Sequence, residues 1–176
     1  MRSTPTRGLV IATIVVAGLA SPLDRVVVGI PAWQDLGAEA WAAYSRHADL
    51  GAGLIVYPIA GIGLAVLAIA AAISYRADRG TSPAARLLIY MAAIGAIGVM
   101  ATTAVAAPIM LSVPDLGDPA ALTDAFDRFS LWGLQVRGAF WALVFLTSVG
   151  ALAVLPRGTS AHERRIRPSA ENSGAS

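Results

Sequence analysis

Arg46, His47 and Asp49 put a guanidinium, an imidazole and a carboxylate within four positions, just ahead of a run of glycine and aliphatic residues. His47 is the one base of near-neutral pKa at that place, so it is a candidate acid or base at the mouth of a pocket, although a surface histidine needs no such role. Asp24 and Arg25 form a second group, inside an apolar stretch. Ionised side chains there are costly and face a cavity, a bundle interior or each other. Gly133, Arg137 and Trp141 form a third, at four-residue spacing, so that a small residue, a guanidinium and an indole share one helix face. An Arg over an aromatic ring is stabilised electrostatically, and the same pair can hold a planar oxygenated ligand. Packing or an interfacial position also accounts for Trp132 and Trp141.

The elements that must position these groups follow from composition. Of 176 residues, 56% are hydrophobic and 14% charged, against about a quarter charged in soluble domains. The chain reads as an integral membrane protein. Four apolar stretches, 8–30, 50–75, 87–113 and 129–155, each reach the roughly 20 residues that cross a hydrocarbon core. They lack period-two alternation and are rich in alanine and leucine, which predicts helices. The expected fold is all-α: an integral membrane four-helix bundle over 1–155, followed by a disordered cytoplasmic tail over 156–176. Within that tail, the Arg-rich "RRIR" could touch anionic headgroups or be a solvated charge run.

All thirteen basic residues are Arg. Nine of them lie before the first stretch, between the second and third, and after the fourth, which puts both termini in the cytoplasm of a multi-pass cell-membrane protein. Arg2, Arg7 and the small residues before Ser21 also fit a cleavable secretory signal, which would leave three crossings with the same sidedness.

Climbing about 20 residues at 1.5 Å each from the cytoplasmic ends reaches the outer boundary near Val27, Val56, Ala106 and Val136. Asp24, Arg25, Tyr57, Thr102, Thr103, Gln135 and Arg137 then share one layer, with Arg46, His47 and Asp49 above it. Asp24 is expected to accept from Arg137, and Arg25 to reach up to Asp49 or a lipid phosphate; equally, Arg25 could snorkel and Asp24 mark a helix end after Pro22. Pro58 removes a backbone donor and predicts a kink beside Tyr57. Gly53, Gly61 and Gly63 predict close helix approach.

Both outer connections predict short interfacial helices. In the first, Asp35 is an N-cap and Trp41, Tyr44 and Ala48 form a stripe; in the second, Asp118 caps a helix with Pro119 at its first position and Leu122, Phe126 and Phe129 inward. The aspartates around the second helix lack a calcium-loop pattern. Absent cysteine removes thiolate and iron-sulfur chemistry, and one histidine near the membrane is too few for paired haem ligation. No phosphate-binding, dinucleotide or nucleophile-elbow motif occurs. No metal, cofactor or nucleic acid is expected; membrane lipids are.

The layout and the last helix, "FDRFSLWGLQVRGAFWALVF", resemble the anthrone oxygenase-like family of small four-span membrane proteins. Gln135 stands where that family's pattern has Asn or His before the Arg. The resemblance implies that Trp132, Gln135 and Arg137 contact a polycyclic phenol to which oxygen adds without a protein-bound metal. Two classes stay open. In one, a small aromatic lipophile enters a pocket of Asp24, Arg25, Asp49, Tyr57, Trp132, Gln135 and Trp141, with His47 and Arg137 as candidate catalytic groups. In the other, the chain is a non-catalytic accessory subunit in a homo- or hetero-oligomer, and the same charges tie its helices together.

Overall fold

The computed structural model describes residues 4–19, 22–77 and 82–155. The tail with its "RRIR", the signal-like junction at Ala20 and Ser21, Arg2 and Arg79 lie outside the described residues.

The described chain is helical, with no strand among those residues. Helix α1 is Thr4–Leu19, α2 Ile30–Leu36, α3 Ala38–His47, α4 Gly53–Ala77, α5 Pro83–Ser112, α6 Pro119–Phe129 and α7 Arg137–Val154. Three helical runs, Ala38–Ala77, Pro83–Asp115 and Pro119–Val154, are long and apolar enough to cross a membrane; Pro5–Leu19 is a shorter apolar helix. Their outward positions carry Ile55, Ile62, Val66, Ile73, Ile94 and Leu146, all exposed. An apolar surface this extensive marks contact with lipid or another apolar partner.

Local sequence accounts for the helix ends. Ser82 caps α5 by accepting from the Ala85 amide at 3.2 Å, with Pro83 supplying a first residue that needs no donor. Asp118 caps α6 as its sequence implies, accepting from the amides of Ala120 and Ala121 at 3.4 and 3.3 Å. Asp35 is not a cap. It lies in the last turn of α2, because the helix runs on past Ile30 and stops at Gly37, whose φ of 93° suits glycine alone.

α1 packs on α4 and α7, α4 on α5, and α5 on α7. Buried side chains form three clusters: Val10, Tyr75 and Ile89; Leu64, Val99, Trp141 and Val144; and Trp41, Met110, Phe126 and Phe129. Close approach of α5 to α7 depends on Gly98, where a Cβ would fall 2.5 Å from the Phe140 ring. Of the glycines expected to serve this purpose in α4, Gly61 faces the Met100 sulfur, Gly63 faces open space and Gly53 accommodates its own helix's Tyr57.

α3 and α6 pack together at the end of the structure that holds the third cluster. Trp41, fully buried, lies 5.4 Å from Phe126 and 5.6 Å from Phe129 between ring centroids. Leu122, Phe126 and Phe129 point inward as their spacing implies. The buried stripe of α3 is Trp41, Ala42 and Ser45, not Trp41, Tyr44 and Ala48; Tyr44 instead turns its ring to Trp33, at 5.3 Å.

Candidate functional site

Three π-helical turns interrupt the helices: Arg25–Gly29, Ala48–Ala52 and Ser130–Val136. Each carries or adjoins one charged residue of interest, Arg25 opening the first, Asp49 lying in the second and Arg137 following the third. A π-turn inserts a residue into the helical register and so rotates everything beyond it, which is why such turns recur at functional sites. In the second, the backbone leaves helical values at Gly51 (φ −91°, ψ −116°). Pro58, where a kink was expected, lies within α4.

The rotation assembles the site. The Arg25 guanidinium lies 2.6 Å from the Asp49 carboxylate, with the two side chains 18% and 4% exposed. Its second terminal nitrogen donates to the Tyr57 hydroxyl and, at 3.5 Å, to that of Tyr44. The same guanidinium stands 4.9 Å from the Tyr57 ring centroid and 5.6 Å from that of Tyr44, within cation-π range. Charge, hydroxyls and aromatic faces therefore share one cation, which lowers the cost of holding it away from water.

Gly53 makes this possible. A Cβ there would sit 2.5 Å from the Tyr57 ring and 2.8 Å from the Ala48 carbonyl oxygen, so only glycine lets the Tyr57 ring fold back to the break in the helix.

A cleft of about 280 Å³ opens beside the group, between α4 and the last third of α5. Arg25, Asp49 and Tyr57 make one end; Leu54, Ala107, Met110 and Phe129 are among the apolar walls. Leu54 and Leu111, at its rim, are more than half exposed on the outer surface of the helices. Thr103 also lines it, but its hydroxyl donates to the Val99 carbonyl, and that of Thr102 to Gly98 and Val99, so neither hydroxyl is free to donate to a ligand.

Sequence reasoning named Arg25, Asp49 and Tyr57, and the structure brings these three together. Arg25 was expected to reach up to Asp49 or to a lipid phosphate; it pairs with Asp49, which the break at Gly51 brings close. Arg137, half-buried at the start of α7, does not line the cleft, and its Nε is buried with no hydrogen-bond partner. The expected Asp24–Arg137 pair does not form. Asp24 immediately precedes the first π-turn and is exposed, while Arg137 is half-buried.

The remaining candidates lie elsewhere. His47 and Arg46 are exposed at the end of α3, and neither lines the cleft. Trp132 is 40% exposed. Gln135 and Trp141 line a different groove, of about 460 Å³, between α1 and α7 with Gly18 and Gly138. Trp132, Gln135 and Arg137 thus face three directions, as residues in and after a π-turn do. Tyr44 was read from sequence as an interfacial helix residue, and Phe129 as one that also begins the fourth stretch; neither was named for the site. Their signal was proximity: Tyr44 is one turn ahead of the Arg46–Asp49 cluster, and Phe129 begins the predicted last crossing.

Among the described residues, no three of His, Cys, Asp or Glu converge closely enough to hold a metal ion. Comparison with protein-family models, curated proteins and solved structures finds no match.

Proposed function

We propose that the chain is a multi-pass protein of the cell membrane that takes a small lipophilic, aromatic ligand from the outer leaflet into the cleft beside Arg25, Asp49 and Tyr57. Four crossings form a bundle, the first built from α1 and the helical segment after it, with both termini cytoplasmic and α3 and α6 lying as interfacial helices over the outer end. The arginine distribution supports this sidedness, and the burial of Trp41 between α3 and α6 supports an ordered outer cap.

One observation carries the reading: an apolar cleft with a single charged end and a rim of exposed leucines. Ligand sites combine largely apolar walls with a few polar groups that fix orientation. Exposed leucines at the rim suit entry from the bilayer rather than from water. The reading is of a binder. Oxygenation, as implied by the family resemblance, needs Trp132, Gln135 and Arg137 on one substrate, and their three directions give it no support.

Saturable binding of a fluorescent naphthyl alcohol to the protein in phosphatidylcholine nanodiscs tests the proposal. Ala107→Phe, which fills the cleft from an exposed backbone position, should abolish it. Binding indifferent to that substitution would refute the site. A second reading, an accessory subunit that packs a partner helix, draws on the groove between α1 and α7, whose lining includes the exposed Ala139 and Leu146. It predicts that Ala139→Trp disrupts an oligomer and leaves probe binding intact.

A further inference from the structure

A charged acceptor in the cleft wall lacks donors. Asp49 lines the cleft and is 5% exposed. Its Oδ1 faces the Arg25 guanidinium at 2.6 Å, a contact between charges that is not aligned as a hydrogen bond; neither carboxylate oxygen has a hydrogen-bond partner, and both are buried. The hydroxyls of Tyr57 and Tyr44 accept from Arg25, and neither reaches the carboxylate in hydrogen-bonding geometry. Thr103, also in the lining, gives its proton to the Val99 carbonyl. A carboxylate accepts several hydrogen bonds, and burying one without them has a cost that an arriving donor removes. The charge of Asp49, in contrast, is already matched by Arg25. What this end of the cleft lacks is a donated proton, not a counter-charge.

Resting on the binding reading above, we infer that the ligand is a small lipophilic alcohol, whose neutral hydroxyl donates to the Asp49 carboxylate while its apolar body lies along Leu54, Ala107 and Met110. Water does not reach either carboxylate oxygen, so the donor has to arrive on a group pressed into this end of the cleft. An ammonium would donate as well, but it would set a second cation beside Arg25 with no further acid in the lining among the described residues. A carboxylate would bring a second anion to Asp49 and leave its oxygens without donors. An ether of similar shape fills the cleft and gives no proton, so the site separates it from the alcohol by one hydrogen bond. The volume of about 280 Å³ admits a body of two fused rings and excludes two full acyl chains; a lipid alcohol would leave most of its chains beyond the exposed Leu54 and Leu111.

The test compares 2-naphthylmethanol with its methyl ether, with (2-naphthylmethyl)ammonium and with 2-naphthoate on the full chain in phosphatidylcholine nanodiscs, each affinity corrected for partition into empty discs. The alcohol should bind about tenfold more tightly than the ether or better, the scale of a hydrogen bond to a buried charged group, and more tightly than either ion. Asp49→Asn keeps the shape but strips Arg25 of its counter-charge. It should narrow the alcohol–ether ratio to about threefold and raise the affinity for naphthoate, a gain that misfolding cannot produce. Arg25→Met paired with Asp49→Leu should bind alcohol and ether alike. Repeating the titration with dioleoylglycerol in the discs separates the sources. Weakened binding of the naphthyl alcohol there assigns the natural hydroxyl to a lipid, and unchanged binding assigns it to a free alcohol. Equal affinity of wild type for alcohol and ether, tighter binding of either ion, or an alcohol–ether ratio that Asp49→Asn leaves unchanged overturns the hydroxyl inference and leaves the binding site standing; saturable binding of none of these probes overturns both.

Discussion

Asp49 meets Arg25 at 2.6 Å because the chain breaks its helical course at Gly51, between α3 and α4. The contact ties the segment after α1 to the start of α4, and both partners are largely removed from solvent. Breaking such a pair by removing one side leaves an uncompensated charge, whereas replacing both with apolar groups does not. Asp49→Ala should therefore cost about 3–5 kcal/mol of stability, read from thermal or denaturant unfolding in detergent. The double change Arg25→Met with Asp49→Leu should recover most of it. Asp24→Asn, at an exposed position, should stay within about 0.5 kcal/mol of wild type.

The same contact marks how far the sequence could be read. Length and apolarity located two helices well, since lipid demands unbroken internal hydrogen bonding: 50–75 became Gly53–Ala77 and 87–113 became Pro83–Ser112, whereas 8–30 holds the shorter helix Thr4–Leu19 and a π-turn at Arg25–Gly29. Charges at one height were also visible. Asp49 was one of the two partners expected for Arg25, and the two do pair, whereas the expected Asp24–Arg137 pair does not form. With a regular 100° per residue, Asp24 and Arg25 were both plausible interior groups, but a π-turn starts at Arg25 and sends only that residue inward. The π-turn at 130–136 likewise spread Trp132, Gln135 and Arg137 over three faces. Such turns have no composition signal, and they are stabilised by contacts made after folding.

Gly53→Ala should be far more damaging than Gly63→Ala. The first places a methyl group against the Tyr57 ring and the Ala48 carbonyl, while the second meets nothing within 4 Å. Overpacking should cost about 1–3 kcal/mol at Gly53. At Gly63, helix propensity should give a gain of up to about 1 kcal/mol. Unfolding midpoints of the two variants check this, and loss of probe binding by the first alone would show that the damage reaches Tyr57.

The packing of α3 on α6 rests on one indole. Trp41→Ala removes a fully buried ring lying between Phe126 and Phe129 and should cost about 3–5 kcal/mol. Trp132→Ala, with 40% of the residue already exposed, should cost much less. Protease cleavage within 119–129, monitored by mass spectrometry, should accelerate in the first variant and not in the second.

His47 lies on an exposed surface away from the cleft. His47→Ala should leave probe affinity within about a factor of two of wild type. A larger loss would return this residue to the site.

Because the chain has no cysteine, single introduced thiols report sidedness cleanly. With four crossings, Ser3→Cys and Ser173→Cys should react with a membrane-impermeant maleimide only from the cytoplasmic side, and Thr123→Cys only from outside. Labelling of Ser3→Cys from outside would mean that the first segment does not cross.

The central claim, that charged groups from separate helices form the end of a cleft loaded from the bilayer, is tested most directly by mass spectrometry of small molecules released from the protein purified in native-lipid nanodiscs. The account predicts a stoichiometric apolar compound with wild type that is missing from Ala107→Phe and depleted from Arg25→Met paired with Asp49→Leu. Recovery of the same compound, in the same amount, from all three proteins would contradict it.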